Sequence, residues 1–334
     1  MSREDDEEAG ESSDEDEEEP LGRRQSAVLF LRDVVVAVVV VVVIIAAVVV
    51  YTQVWPPMVV VESDSMQHSD TQSYVGVIDT GDLVLVQVVP SRGDVVTWVE
   101  GKAAGHRTYG DFGDVIIFHP TPYSLTSTPI IHRPMFYVVW NETSGQGYDV
   151  PSLRLLDATL WSTTTRNGSP WNHWYDIRGD LTLRQVGFNG ALTRSINLGM
   201  LSDSEANKVD GYITMGDHNA IRTGFDGWGV VPHSRVQGKA RGELPWFGLL
   251  KLILSPGTCC KKGWGDPNAP KNSWDSLLLS LVLVPIGLYL ADSLYVFGED
   301  SWKWWRGSKK RGKRAKGGRK ASDPEEPPDS DDVR

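Results

Sequence analysis

The chain has 334 residues, enough for one or two domains, with 33 basic and 44 acidic residues and a formal net charge of −11. This balance argues against a general nucleic-acid-binding protein, because such proteins neutralise phosphates with a surplus of Lys and Arg. Its only two cysteines, Cys259 and Cys260, are adjacent. A disulfide-rich scaffold and a multi-cysteine zinc site are therefore excluded.

The charges are concentrated at the two ends of the chain. Residues 1–19 hold 12 acidic residues, residues 303–320 hold 10 basic residues and no acid, and residues 321–334 hold 6 acidic residues. Such segments contain too few apolar residues to form a core. We therefore expect residues 1–26 to be an acidic disordered tail, most simply a solvated arm, and residues 299–334 to be a charged disordered tail.

The first apolar run, residues 34–51, contains 18 residues without a charge. At about 1.5 Å per residue it covers about 27 Å, close to the hydrocarbon thickness of a bilayer. A cleaved signal peptide is the alternative, but no small-x-small cleavage site precedes Trp55. We predict an uncleaved transmembrane helix over residues 27–53.

A second apolar run, residues 277–297, contains Pro285 and Asp292, both of which a spanning helix tolerates. Tryptophans on both sides are typical of membrane interfaces. We predict a second transmembrane helix over residues 274–298, with a buried or re-entrant helix as the alternative.

The basic segment directly after this helix predicts a cytoplasmic location for both termini. The same segment could attract anionic lipid headgroups. Residues 54–273 would then form an extracytoplasmic domain, which contains two glycosylation sequons, at Asn141 and Asn167.

The predicted outer domain has a β pattern of short Val, Ile, Thr and aromatic runs broken by Gly, Pro and Asp. The expected strands are Leu83–Val89, Asp94–Val99, Val115–Phe118, Met135–Trp140 and a strand beginning at Gly211. Residues 150–161 fit a short helix or two strands. The predicted fold is therefore a mainly β domain, α+β overall, anchored by two transmembrane helices.

Five short elements follow the first apolar run in a fixed order. They are Ser65-Met66, Gly81–Val86, Gly113–Phe118, Ile130–Arg133 and Tyr212–Asn219. Each element alone is weak, but the ordered set behind a membrane anchor resembles the signal peptidase I family in its archaeal and endoplasmic-reticulum form. The resemblance covers about residues 34–140 and 210–240. The acidic composition is also similar to that of halophilic archaeal proteins, whose surface charge maintains solubility.

The resemblance implies a serine protease site. Ser65 would be the nucleophile and His132 the general base, since a neutral imidazole can take the hydroxyl proton. Asp217 of the Gly-Asp-x-Asn element is the expected acid that orients His132, with Asp226 as a second candidate whose spacing fits less well. The Ser65 amide and the Ser63 hydroxyl would stabilise the oxyanion.

The histidine base agrees with the archaeal and endoplasmic-reticulum form, and the one departure from the family pattern concerns the spacing between the base and the acid. The bacterial form uses a lysine base, but this chain has no lysine between Lys102 and Lys208. In compact members the base and the acid lie close in sequence, whereas 85 positions separate His132 from Asp217 here. Residues 141–210 are therefore predicted to be an insertion, either a surface elaboration or a region that modulates access or binds a partner.

Other polar residues have simpler interpretations. Asp82 and Asp114 follow glycines at predicted strand starts and are read as turn residues. Met66 is read as a packing residue. A metal held by His68 or His218 has no support in their spacing, and the sequence implies no cofactor.

The predicted function is removal of signal peptides from exported preproteins after small-x-small sites. The expected partners are these preproteins, membrane lipids and protein-export machinery. A related enzyme with a narrow set of membrane-tethered substrates, and a non-catalytic glycosylated β domain that acts as a scaffold, are the alternatives. The expected substrate groove is formed by Glu62–Gln67 and Met135–Val139, and would bind an extended segment by strand addition.

Overall fold

The computed structural model describes residues 23–120, 125, 127–254 and 268–317. Most of the predicted acidic tail, the end of the basic tail, and Cys259 and Cys260 lie outside the described residues.

Two long helices, α1 (Arg23–Thr52) and α6 (Ser273–Gly317), contain segments long and apolar enough to cross a membrane. These segments are Phe30–Thr52 and Ser273–Tyr295. Their apolar side chains are almost entirely uncovered by the rest of the chain, as expected for side chains that contact lipid. The helical backbone of α6 extends past the predicted boundary at residue 298. Lys and Arg are good helix formers, and no proline follows Pro285 before the helix ends.

The main sheet is antiparallel and consists of six strands in the order β1-β2-β12-β5-β6-β11, with the short β7 paired to β6. The strands are β1 (Met58–Val60), β2 (Leu83–Gln87), β5 (Ile116–Phe118), β6 (Ile130–Trp140), β7 (Tyr148–Asp149), β11 (Gly211–Met215) and β12 (Val236–Leu244). Four of the five expected strands are thereby confirmed, although their ends differ by a few residues.

The fifth expected strand, Asp94–Val99, is wrong. This segment contains a 3₁₀ turn at Arg92–Asp94 and the start of helix α2 (Trp98–Ala104). Thr97 and Glu100 form a capping box in which each side chain bonds to the other residue's backbone N–H. This local capping overrides the β propensity of the valines. A two-stranded ribbon, β3 (Arg107–Thr108) and β4 (Asp111–Phe112), follows α2.

The predicted insertion forms a second, three-stranded sheet in the order β10-β9-β8. Its strands are β8 (Trp161–Thr163), β9 (Asp180–Val186) and β10 (Leu192–Asn197), followed by the short helix α3 (Leu198–Leu201). Before β8, residues 151–155 and 158–160 form 3₁₀ turns, not the expected helix or two strands. Leu181, Leu183 and Val186 of β9 share one core with Phe136 and Ile213 of the main sheet, so the two sheets pack together.

Two short helices lie on either side of β12 in the chain, α4 (Asn219–Arg222) before it and α5 (Gly248–Leu254) after it. Leu249 and Leu252 of α5 pack against Trp274 and Leu277 in the first turns of α6. Where α1 ends, the Thr52 carbonyl accepts a hydrogen bond of 2.9 Å from Val88 N. The end of α1 is therefore joined to the residue after β2, whereas Leu249 of α5 packs on Gly81, before β2.

Three carboxyl groups, those of Asp79, Asp82 and Glu243, lie together near the start of β2. Asp82 accepts hydrogen bonds from the backbone N–H groups of Asp79 and Trp246, and Glu243 accepts one from Gly76. Burial raises the pKa of Asp79 to about 7, that of Asp82 to about 6 and that of Glu243 to about 7. The folded state therefore keeps protons here that the unfolded chain would release.

The raised pKa of Asp79 predicts that this group makes folding less favourable as the pH rises. Between its ordinary pKa of 3.8 and about 7, only the folded state binds the proton. The stabilisation of the folded state by this bound proton is therefore fully present below that pH range and is lost above it. Asp79→Asn, which is neutral at every pH, should raise Tm at pH 8 by a few degrees and change it much less at pH 4. Asp203→Asn, at an exposed ion pair, is the control. A lower Tm for Asp79→Asn at pH 8 would contradict the prediction.

Candidate active site

Ser65 lies in the loop between β1 and β2. Its carbonyl accepts a 2.9 Å hydrogen bond from His218 N, and the His218 Nδ1–H donates to the Asp64 carbonyl at 2.9 Å. The next side chain, Met66, is fully buried in a core cluster with Val84 and Ile117 of the main sheet, as predicted. The backbone on both sides of the Asp64–Ser65 peptide bond is therefore held by His218.

His132 connects Ser65 to Asp226. His132 is on β6, opposite Ile116 of β5, and its Nε2 lies 2.9 Å from Ser65 Oγ. Its Nδ1 lies 2.6 Å from Asp226 Oδ2. With a carboxylate accepting the Nδ1 proton, the Nε2 lone pair is free to accept the serine proton.

Asp226 is oriented by Thr214 on β11. Asp226 N donates to the Thr214 carbonyl at 3.0 Å, and Thr214 Oγ1 donates to Asp226 Oδ2 at 2.8 Å. The side chains of His132 and Asp226 are each only 6% exposed. The hydrogen bonds among Ser65, His132 and Asp226 are thus shielded from competing water, which strengthens them.

Asp217, the first choice for the acid, forms no hydrogen bond with His132. Instead it forms two hydrogen bonds with Arg133, from Nε at 2.8 Å and from Nη2 at 2.6 Å. Successive residues of a strand point to opposite faces, so Arg133 and His132 take different carboxylates. The structure therefore corrects the order of preference: Asp226, the second candidate, is the carboxylate on the histidine.

The Arg133–Asp217 pair is buried, with side-chain exposures of 0% and 3%. Burial would raise the pKa of Asp217, but the Arg133 guanidinium outweighs it and lowers the pKa to about 2. Arg133 also donates to the carbonyl oxygens of Phe112 at 3.1 Å and Gly113 at 3.0 Å. Asp217 therefore remains ionised and links β6 to the loop after β11.

The two histidines considered as metal ligands have other partners. His68 Nε2 donates to Asp217 Oδ2 at 3.1 Å, and His218 bonds to the Asp64 carbonyl. Among the described residues, no group of three or more His, Cys, Asp or Glu side chains is arranged to hold a metal ion.

Gly216 lies where the serine and the histidine meet. A Cβ on this residue would stand 2.4 Å from the Ser65 carbonyl oxygen and 2.9 Å from His132 Nε2. Only a residue without a side chain leaves room for the Ser65–His132 hydrogen bond. Steric crowding therefore explains why a glycine occupies the first position of the Gly-Asp-x-Asn element.

The expected oxyanion donors are next to the serine hydroxyl. Ser63 Oγ lies 3.2 Å from Ser65 Oγ. Within the described part of the chain, the Ser65 N–H donates to no acceptor. Both groups are able to donate to an oxygen that develops negative charge beside Ser65.

An open groove of about 630 Å³ runs past Ser65 and His132. Glu62, Ser63 and Ser65 of the expected wall Glu62–Gln67 line the groove, but no residue of Met135–Val139 does, because Met135, Phe136 and Val138 are buried in the core. The other lining residues within the described part of the chain are Val60, Val61, Pro120, Ser127, Thr128, Pro129, Ile130, Ile131, Asn219 and Trp228. Residues 127–131, Asn219 and Trp228 were missed because their approach to Ser65 depends on tertiary folding.

Asp82 and Asp114 lie outside the site, as expected for turn residues. Asp82 caps two backbone N–H groups. Asp114 forms an ion pair with Lys239 at 2.9 Å and a hydrogen bond with His106 at 3.1 Å.

Thr214 and Arg133 also support the site. In the sequence they are marked only by their positions within the Tyr212–Asn219 and Ile130–Arg133 elements.

No family model, curated protein or solved structure matched this chain.

The close approach at Gly216 predicts that Gly216→Ala will separate Ser65 from His132. We expect the rate of Ser65 modification by a fluorophosphonate probe to fall by about 100-fold, because a displacement of about 1 Å is enough to disrupt such a hydrogen bond. Gly93→Ala is the matched control, since its Cβ would meet nothing closer than 3.6 Å. Equal labelling rates in the two variants, both folded, would refute the steric role of Gly216.

Proposed function

We propose that this protein is a membrane-anchored serine endopeptidase of the signal peptidase I type, which removes signal peptides from exported preproteins. Ser65 acts as the nucleophile, His132 as the general base and Asp226 as the carboxylate that orients His132. The observation that carries the proposal is the line of hydrogen bonds from Asp226 through His132 to Ser65, which ends at an open groove.

The geometry supports acyl transfer through the serine. Ser65 Oγ attacks the scissile carbonyl carbon while its proton passes to His132 Nε2, and Asp226 stabilises the resulting imidazolium. The Ser65 N–H and the Ser63 hydroxyl donate to the oxyanion. His132 then gives the proton to the leaving amine as the C–N bond breaks. Water hydrolyses the acyl-enzyme by the same route and restores Ser65.

The groove supports an extended peptide as the substrate. Its lining combines apolar side chains such as Val60 and Ile131 with few charges, which suits the small-x-small segment of a signal peptide. Among the described residues, the strand β1 lies at the edge of the sheet and pairs only with β2. An edge strand offers free backbone groups, so the substrate would bind by strand addition.

The positions of the helices support action at a membrane surface. Ser65 follows the end of α1 by only 13 residues, and α6 begins beside α5. Trp55, 75% exposed, and Leu254, 86% exposed, lie near these helix ends, where they would contact lipid. We propose that both termini are cytoplasmic and that the β domain is extracytoplasmic, because the basic segment follows α6 directly. The domain would there meet preproteins delivered by the export machinery.

The proposal predicts that membranes containing the wild-type chain cleave a preprotein with an Ala-x-Ala site and that Ser65→Ala and His132→Ala abolish cleavage. Removing the nucleophile or its base lowers kcat by several orders of magnitude. Ser204→Ala and His173→Ala, at exposed positions away from the groove, are the matched controls.

The outcomes of this experiment separate the alternatives. Cleavage by Ser65→Ala would show that another group is the nucleophile. A folded, inserted wild-type chain that cleaves no preprotein and does not react with a fluorophosphonate would support a non-catalytic scaffold. Reaction with the probe without preprotein cleavage would favour a protease with a narrow set of substrates.

The two aspartates predict different defects. Asp226→Asn should lower kcat by about 10³- to 10⁴-fold with little loss of stability, because the amide no longer holds the required histidine tautomer. Asp217→Asn should instead lower the free energy of unfolding by about 3–5 kcal/mol, because Arg133 would be left buried without its counter-charge. Denaturant unfolding and kcat, measured on both variants, test this contrast. The reverse pattern would return Asp217 to the catalytic role.

A further inference from the structure

The β9–β10 hairpin of the inserted sheet approaches the candidate active site. Gly187 and Gly190, both with positive φ, form its tight turn, closed by a 2.7 Å hydrogen bond from Gly190 N to the Gly187 carbonyl. Between them, Phe188 stacks on the ring of His68, with ring centroids 4.1 Å apart and an interplanar angle of 11°. The insertion therefore contacts the segment that carries Ser65.

The stacked ring of His68 is fixed on three sides. Its Nε2–H donates to Asp217 Oδ2 at 3.1 Å, and Phe188 covers one face. At Gly110, a Cβ would stand 2.6 Å from His68 Cε1, so this backbone closes off the ring as well. The imidazole is 14% exposed. Loss of the Phe188 ring would remove the only aromatic surface that holds His68 on Asp217 within the described residues.

The hairpin also contacts the other side of the Asp217 loop. Arg194 of β10 donates from Nε to the Ala220 carbonyl at 2.6 Å and from Nη2 to the Ile221 carbonyl at 3.3 Å. These carbonyls belong to α4, which begins two residues after Asp217. The hairpin thus contacts both α4 and the segment containing His68.

The segment between these contacts sets the geometry of the candidate site. Its Gly216 backbone packs against Ser65 and His132, His218 bonds to Asp64 and Ser65, and Asp217 pairs with Arg133, the neighbour of His132. We propose that Phe188 of the insertion is a positioning residue that acts through His68 and Asp217 to hold Ser65 against His132. This role rests on the proposed function, and it makes residues 141–210 part of the scaffold of the site instead of a surface elaboration.

The test measures kcat and KM for preprotein cleavage, and the rate of Ser65 labelling by a fluorophosphonate, on the full-length chain in lipid vesicles. Phe188→Ala should lower kcat about tenfold with KM changed less than about twofold, since misplaced groups slow the chemical step. Phe188→Tyr should restore most of kcat, because it keeps the stacked ring. Trp171→Ala, an aromatic residue of the insertion that contacts His173 and Tyr175, is the control expected to retain wild-type kcat.

A double-mutant cycle distinguishes positioning from a general loss of stability. If Phe188 acts through His68, the variant with both Phe188→Ala and His68→Gln should be no slower than His68→Gln alone, within about twofold. Multiplicative losses in the folded double variant, or wild-type kcat in folded Phe188→Ala, would overturn the inference while the protease function stands. A wild-type chain that neither cleaves a preprotein nor labels at Ser65 would refute the proposed function, and the positioning role with it.

Discussion

The buried ion pair between Arg133 and Asp217 connects most of the elements around the candidate site. Removing two charges from water is unfavourable, and the energy is recovered only when nearly every donor and acceptor is satisfied. Arg133 meets this condition with two bonds to Asp217 and further bonds to the Phe112 and Gly113 carbonyls, while Asp217 also accepts from His68. Because these groups lie on β6, at the end of β4, on the β1–β2 loop and on the loop after β11, the pair fixes four parts of the chain relative to one another.

The serine and its partners depend on this framework, although none of them belongs to the pair. Ser65, His132 and Asp226 come from three distant segments and meet at hydrogen-bond distances of 2.9 and 2.6 Å. Each is supported by a neighbour of the pair: Ser65 by His218, His132 by its place before Arg133, and Asp226 by Thr214. The two aspartates therefore have different partners. Asp217 pairs with the permanently charged Arg133, and Asp226 bonds to the imidazole of His132.

Local pattern predicted more of this molecule than long-range contacts did. Apolar runs and β-branched residues are properties of short segments, so the two long helices and strands such as β11 could be predicted from the sequence. The candidates Ser65 and His132 lie in the ordered motifs, whereas Asp226 was only a second choice for the acid, with a spacing that fits less well. Asp217 was preferred as the acid beside His132, but it bonds to Arg133 instead, because spacing cannot show on which face of β6 each carboxylate lies. The groove wall at residues 127–129 and the contact of Phe188 with His68 arise only when distant segments pack, and no local signal marks them.

The position of β12 in the sheet has a consequence for biosynthesis. This strand, Val236–Leu244, pairs with β2 on one side and β5 on the other, although some 120 to 150 residues separate it from them in the chain. Until it emerges from the ribosome, β2 and β5 each expose an unpaired edge. The part of the sheet that contains β5 and β6, with His132, cannot then be joined to the part that contains β1 and β2, next to Ser65. Such non-local pairing is slow and leaves strand edges open to aggregation. The nascent domain must therefore persist with a divided sheet until nearly the whole of it has been synthesised.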